Sequence, residues 1–587
     1  WAKDQINALD TAGGITSTET TIEGIARRML YWRAAVDGVD RLAVGTHNHL
    51  LIIQNGAIYD ITPLRATQAG LSNPVATTNG STTVTITDTA HGALTSDWVV
   101  LSGTTATGGI SADTLNSYYG YQITRINADS YTIVVPSAAS STVSAGGGTV
   151  TIKYLIGLNN GLGVQSAAPA LGWGAGGWGN EAWGTPRSAS ESTVSLDNSS
   201  WNLSLWGEDL LATVRGGAIY YWDTSEGIAD RAVLASSLAG AQSVPAVVRV
   251  TTVSFPDRHF IAGGCTSYSS GLVDNMLVRW SSQEEFTKFA PTAINTAGDQ
   301  RLEIGTKIVA MVPAREETII STDEAIYGMT FIGGDFVFSF RLLATDSGAA
   351  GLNTMISIDG DVYWMGKRNF FKYDGIVNEL PCPVQYYVAD RLQTSFIEKT
   401  TVGHNKEFKE ITWFYVSNDN SAGTTNPEPD SYVTFNYAEN AWTVGTMDRT
   451  VWSDSFGAKT VPFAFDPDGY LYNQETGTSA DGAAMNSYIE GAPREISQDG
   501  ETLYMVDQVI PDVTMTSDTS LYLYMNTRKF PNATEVTKGP FTITSATEKV
   551  STRAKGRQIS LKFQSTGTQD DWSLGDFRVN SRQDGLR

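Results

Sequence analysis

Along the chain, short runs of alternating apolar and polar residues recur, each opened by a small or acidic residue and ending on an apolar and aromatic pair. Gly56 to Asp60 reads GAIYD, Gly217 to Asp223 GAIYYWD, Glu324 to Tyr327 EAIY, Gly360 to Trp364 GDVYW and Gly469 to Tyr472 GYLY. Each follows a second apolar run: LAVGTHNHLLII, DLLATV, ETIIST, MISI and VPFAFD in the same order. A side-chain period of two is that of a strand, so each site predicts a β-hairpin. Tyr220 and Tyr327 lie close to two periods of roughly 50 residues apart, and so do Tyr363 and Tyr472. Three or four short strands repeated at that period predict a β-propeller, with Tyr59, Tyr220, Tyr327, Tyr363 and Tyr472 as its core signature. A series of unrelated β-meanders would carry the same hairpins without closing a ring.

Two stretches interrupt the repeat. Residues 73–152 turn to Thr, Ser and Val alternation (TTVTITDTAHGALTSDWVVLSG, then YQITRINADSYTIVV), bounded by SNPVATTNGS and SAGGG. Their length and strand density predict an immunoglobulin-like β-sandwich, and because the hairpins resume afterwards it reads as an insertion into a propeller loop. After residue 497 the repeat stops and new alternating runs appear (SLYLYMNT, GPFTITS, ISLKFQS). The expected organisation is therefore a first propeller part at 1–72, the inserted Ig-like domain at 73–152, a connecting segment at 153–200, the rest of the propeller at 201–497 and a C-terminal β-sandwich at 498–587. Helix is scarce. Its best candidate, Glu19 to Ala35, contains Gly24, and the run from Arg27 to Trp32 reads equally well as a strand.

Composition agrees with an all-β chain, since 57 glycines punctuate runs rich in β-branched and aromatic residues. At 587 residues the chain is long enough for three or four domains. Acidic residues outnumber Lys and Arg by 62 to 40, for a formal net charge of -22. Such a surface does not wrap tightly around nucleic acid, whose affinity comes from phosphate neutralisation, yet it lets DNA slide past. The two cysteines, Cys265 and Cys382, are far apart and in no metal-type spacing, which predicts reduced thiols. No apolar run reaches the roughly 20 residues that span a bilayer, and no secretory signal opens the chain. The expectation is a soluble protein folded in a reducing cytoplasm, with a short piece preceding Trp1.

Candidate chemistry is sparse. His47 and His49, two of five histidines, stand two apart in an apolar run and would share one face of a strand, a candidate metal pair without a third ligand nearby. Asp466-Pro467-Asp468-Gly469 has the spacing of half a calcium loop but lacks the downstream Glu, so a tight turn is expected. Glu284 and Glu285 are adjacent, which on a strand sends them to opposite faces rather than into a glycosidase pair. No nucleophile elbow, phosphate loop, zincin helix or sialidase Asp-box occurs. The sequence predicts no catalytic residue, no metal and no cofactor, hence no enzyme.

Gly172 to Gly184 reads GWGAGGWGNEAWG. Glycine weakens regular elements by roughly 0.5 to 1 kcal/mol each, so Trp173, Trp178 and Trp183 sit on a loop. Buried indoles are enriched at interface hot spots, which makes the three a candidate subunit interface; folding back onto their own propeller is the equal alternative. Stacking on single-stranded nucleic acid needs companion cations, and only Arg187 is close.

Several phrases together carry a family resemblance: Leu42 to Thr46 leading to Asp60-Ile61-Thr62-Pro63, the GWGAGGWG stretch, Trp201 to Ala212 (WNLSLWGEDLLA), Arg279 to Glu284 (RWSSQE), Asp361 to Val377 (DVYWMGKRNFFKYDGIV) and the ending from Lys555-Gly556-Arg557 to Arg587. In this order the chain resembles the tail nozzle, or tail hub, proteins of short-tailed bacteriophages, the group that includes the tubular tail protein B family. The resemblance covers most of the chain apart from 73–152, which separately resembles small Ig-like modules of phage structural proteins. It implies a propeller subunit of a homo-hexameric ring below the portal and adaptor rings, located in the virion tail after assembly in the host cytoplasm. The expected partners are the tail adaptor, tail fibre or spike proteins, double-stranded DNA in transit and the host outer surface. The role implied is structural, without an active site. The competing expectation is a host-surface glycan-binding module, for which Trp173 and Trp178 would be the platform.

Overall fold

The computed structural model describes residues 21–35, 37–158, 199–334, 336–419, 427–457, 459–495, 502–516 and 519–585. Contacts divide the described residues into a compact unit that ends at Leu471 and a second that begins at Tyr472.

The first unit is built from small antiparallel meanders. Six four-stranded sheets are followed by a three-stranded one that ends on Leu471–Asn473. Their first strands are Ala26–Arg33, Trp201–Trp206, Val248–Val253, Ile308–Pro313, Met355–Ile358, Thr401–Asn405 and Val451–Ser453. Each of these strands neighbours the next, and Val451–Ser453 neighbours Ala26–Arg33, so the seven sheets close into a propeller-like ring with seven blades. The lead-in to blade 1 completes the closure, where the Ile22 amide donates to the Gly469 carbonyl at 3.1 Å. Of the two readings of the run near the N-terminus, helix or strand, the structure has the strand, Ala26–Arg33. Its alternating apolar residues pack between two blades, and that burial outweighs the helix propensity of its Ala, Arg, Met and Leu.

Blades are joined by indoles seated on glycines. A Cβ on Gly45 in blade 1 would lie 2.4 Å from Trp201 of blade 2, whose Nε1 donates to the Thr46 carbonyl at 2.8 Å. Blades 6 and 7 repeat the device with Gly403 and Trp452, whose Nε1 donates to the His404 carbonyl at 2.9 Å. Trp201 is fully buried and Trp452 half-buried, and each satisfies its one donor, as a Trp removed from water requires.

The five signature tyrosines fall at unlike places. Tyr220 and Tyr327 occupy third strands of blades 2 and 4, Tyr363 the second strand of blade 5, and all three are buried. Tyr59, on the outer strand of blade 1, and Tyr472, on Leu471–Asn473, are half-buried. Blades 3 and 6 carry no such hairpin signature.

Between blades 1 and 2 the chain makes two packed sheets. One contains Ser130–Val134, Thr83–Thr87 and Val75–Thr77 at its centre; the other runs Leu64–Ser72, Thr149–Leu155, Trp98–Ser102 and Tyr121–Gln122. Val84, Ile86, Val99, Ile133, Val150 and Ile152 from both sheets share one buried core. The first strand, Leu64–Ser72, pairs with Thr149–Leu155, so the insertion starts before residue 73 and ends after residue 152. The polar, exposed face of Leu64–Ser72 hid that strand from a reading based on apolar alternation.

Among the described residues the second unit has two larger sheets and a two-stranded pair, Val513–Met515 with Trp572–Leu574. Ser487–Glu490, Gln558–Ser565, Leu521–Arg528 and Val536–Ile543 form one, and Val550–Gly556, Tyr504–Ile510 and Arg578–Gln583 the other. Val506, Val509, Leu521, Leu523 and Phe563 lie at their common core. Its first strand precedes residue 498, which moves the expected boundary toward the N-terminus.

Candidate functional site

In an antiparallel meander the connection into each first strand and the turn between second and third strands lie on the same face. Charged residues from these connections converge around the propeller axis on that face. Arg27 and Arg28 open blade 1, Arg215 sits in the turn after Asp209–Val214 of blade 2, and Lys307 precedes blade 4. The blade 5 to blade 6 connection carries the helix Gln385–Arg391 and then the 3-10 helix Thr394–Lys399, which presents Glu398 and Lys399. Glu428 precedes the third strand of blade 6, Ser431–Asn436.

Two carboxylates organise these cations. Glu428 accepts two bonds from Arg27, at 2.5 and 2.8 Å, and one from Lys399 Nζ at 2.7 Å; that ammonium also donates to the Pro427 carbonyl at 2.9 Å. All three side chains are at most 8% exposed. Glu398 accepts from Arg215 at 2.5 Å and from Lys307 at 2.8 Å, linking blades 2 and 4 through the blade 5 to 6 connection. Asn353, just before blade 5, accepts from Arg28 Nη1 at 3.1 Å and donates to the Arg27 carbonyl at 2.8 Å. The axis is therefore crossed by side chains on this face.

Burial sets the electrostatics. Burial lowers the Lys399 ammonium to about 8, with Arg27 adding to the effect and Glu428 opposing it. Burial alone would raise the Glu428 carboxyl, but Arg27 and Lys399 more than offset that and hold it below its ordinary value. His47 is lowered to about 4, first by burial and then by Arg27. The Arg28 guanidinium is lowered by burial alone. Beneath the cluster lies a cavity of about 260 Å³, lined by Arg27 and Arg28 and by residues of the first strands of blades 4 to 7, among them Pro313, Ser357, Val402 and Trp452.

The residues singled out in the sequence do not assemble here. Trp173, Trp178, Trp183 and Arg187 lie outside the described residues. His47 and His49 stand in the turn between Asp40–Thr46 and Leu50–Gln54, not on a strand, and they diverge. His47 Nδ1 accepts from the Ile25 amide at 2.9 Å, whereas the His49 ring reaches the Tyr119 carbonyl of the insertion at 3.2 Å. Among the described residues no three His, Cys, Asp or Glu side chains are grouped to hold a metal. Asp466 closes a turn by accepting from the Tyr470 amide at 2.8 Å. Glu284 and Glu285 occupy a turn beyond Val273–Trp280, paired with Arg258 and Lys288 respectively. Cys265 and Cys382 are free thiols. The axial cluster draws on residues 27 to 428, so no local motif announces it. Its one sequence signal is charge inside apolar runs, as in IARRMLYW from Ile25 to Trp32.

No family model and no curated protein matches the chain. Solved structures do match. BamB from Moraxella catarrhalis is 10% identical, with a TM-score of 0.25 over 48% of this chain and 85% of that one. A Synechocystis apocarotenoid oxygenase mutant is 9% identical, with a TM-score of 0.29 over 69% and 87%. Phage phi92 endosialidase is 10% identical, with a TM-score of 0.15 over 93% of this chain and 56% of its own. These scores are too low to carry an argument about what this chain does.

Proposed function

We propose that the chain is a structural tail nozzle subunit of a short-tailed bacteriophage: a β-propeller module that joins five further copies in a ring extending and closing the DNA channel below the portal and adaptor. The observation that carries the reading is the axis crossed by Arg28, Asn353, Arg215, Lys307 and Glu398. A propeller whose axis is crossed by side chains on one face serves as a rigid wall, and the passage for DNA then lies between copies. Of the phrases that carry the family resemblance, Leu42 to Thr46 lies in the second strand of blade 1 and Trp201 to Ala212 on the first hairpin of blade 2, whereas the ending from Lys555 belongs to the second unit and GWGAGGWG lies outside the described residues. The two largest additions, the inserted sheets and residues 159–198 with their three tryptophans, share the single connection between blades 1 and 2. In this reading the insertion is an Ig-like module, and both additions serve contacts with neighbouring copies, the adaptor, fibres or spikes.

An acidic wall suits such a passage. Six copies would carry a formal charge on the order of -130, which repels a duplex bearing about one charge per 1.7 Å and keeps it from sticking. The role is mechanical and assigns no reaction to the chain.

Electron microscopy of the native particle, with symmetry left free and the chain located by density or antibody, tests the reading. A sixfold ring on the tail axis at its distal end is the expected result. Peripheral density away from the axis would overturn it and transfer the weight to host-surface glycan binding, which a glycan array on the purified chain would then reveal.

A further inference from the structure

The axial cavity holds two arginines in unequal circumstances. Arg27 is 3% exposed and spends its terminal nitrogens on Glu428, while its Nε finds no acceptor among the described residues. Arg28 has no carboxylate partner among the described residues. Of its five N–H donors, one reaches an acceptor among the described residues, the neutral Oδ1 of Asn353. The side chain is half-buried, and part of its surface stays open toward the cavity. A guanidinium keeps its charge at any ordinary pH, so it does not escape burial by deprotonating. Its cost is offset only by an opposite charge or a full set of acceptors.

The surroundings make this imbalance unusual. The chain is acidic overall, at -22, yet five cations, Arg27, Arg28, Arg215, Lys307 and Lys399, meet around the axis. Glu428 and Glu398 are each already shared by two of them. Neither carboxylate is left for Arg28. The remaining lining is apolar or hydroxylic, from Met355 and Val402 to Ser357 and Thr401. Such walls lower the local dielectric and strengthen a bond between a guanidinium and an anion.

We propose that the axial cavity is a binding site for a small oxyanion of the phosphate or carboxylate type, held by the free donors of Arg28 beside Asn353. Arg28 fits this role in shape as well as charge, because its planar fork gives two parallel bonds to such an anion. At about 260 Å³ the cavity admits a small anion rather than a polymer. Occupied, the site would tie blade 1 to the blades across the axis through a charge that the sequence does not itself supply.

The test is titration of the full chain with inorganic phosphate and with acetate, read by calorimetry and by thermal unfolding, with chloride at equal ionic strength as control. Saturable 1:1 binding and a rise in melting temperature that chloride does not reproduce are expected with at least one of the two anions. Arg28→Met, which keeps the length and removes the charge, is expected to weaken binding at least tenfold. Ser357→Asp places a carboxylate on the cavity wall and is expected to fold, to gain stability without anion and to lose the response to it. This second variant keeps the test decisive if Arg28→Met fails to fold. The proposal is overturned if neither anion binds saturably, or if binding is unchanged in Ser357→Asp or in folded Arg28→Met. Phosphate binding without acetate binding would assign the site to phosphate, and the reverse to carboxylates.

Discussion

At the scale of single residues, the half-buried imidazole of His47 makes the axial cluster sensitive to acid. In the folded chain His47 stays neutral down to about 4, because burial and then Arg27 oppose its charge, whereas an unfolded histidine titrates near 6.5. As pH falls from about 6.5 toward 4 the unfolded chain takes up a proton that the folded chain refuses, so stability declines by up to about 3 kcal/mol across that window. Glu428 contributes its share above the ordinary carboxylate value and loses it only as pH falls through its own lowered one. His47→Asn keeps an acceptor for the Ile25 amide and removes the titration. Urea unfolding at a series of pH values should show the wild type losing stability relative to this variant between pH 6.5 and 4; parallel curves would defeat the assignment. A steric case complements this electrostatic one. Gly45→Ala sets a Cβ 2.4 Å from Trp201 and should cost about 1–3 kcal/mol by overpacking, read as a lower denaturation midpoint. Gly403→Ala should do the same at Trp452. Neither glycine was distinguishable in the sequence from those of ordinary turns, because its partner indole lies on another blade.

At the scale of elements, the inserted sheets are fastened to blade 1 by polar contacts at its outer strand. Tyr118 Oη accepts from the Asp60 amide at 2.8 Å and donates to the Ile58 carbonyl at 3.2 Å. Arg231, between the third and fourth strands of blade 2, pairs with the Asp60 carboxylate at 2.6 Å, and His49 packs edge-on against Trp98 and Tyr119. Tyr118→Phe leaves the Asp60 amide and the Ile58 carbonyl without this partner, a loss of about 1–2 kcal/mol. Hydrogen exchange at residues 57–62 should accelerate several-fold in the variant while the rest of blade 1 stays protected; unchanged exchange would show that the hydroxyl does not hold the junction. Hairpins with an apolar second strand, such as those ending at Tyr220 and Tyr327, were legible because alternation is local. The edge strand Leu64–Ser72 and the blades without the Tyr signature were not, since solvent-facing and edge strands are selected by pairing rather than by hydrophobicity.

For the whole molecule, division into two compact units makes a separate prediction. The core of the second unit, from Val506 and Leu523 to Phe563, is built from residues of 472–587 alone. A fragment spanning 472–587 should give a β-rich circular dichroism spectrum and a cooperative unfolding transition. A fragment that stays unfolded would show that this core depends on the remainder of the chain. The axial cluster belongs to the same scale, since Arg27 and Glu428 stand about four hundred residues apart and meet only once the ring has closed.

The sequence by itself determined what depends on neighbours along the chain: strands from alternation, turns from glycine and aspartate, an all-β class and an acidic surface. Tertiary structure decided how many sheets close the ring, which glycines receive an indole, that His47 and His49 part company at a turn, and that charged residues from five connections meet on one axis. The physical reason is that strand formation follows local periodicity, whereas ion pairs, cavities and the seating of one blade on another arise between segments whose separation in sequence says nothing of their distance in space.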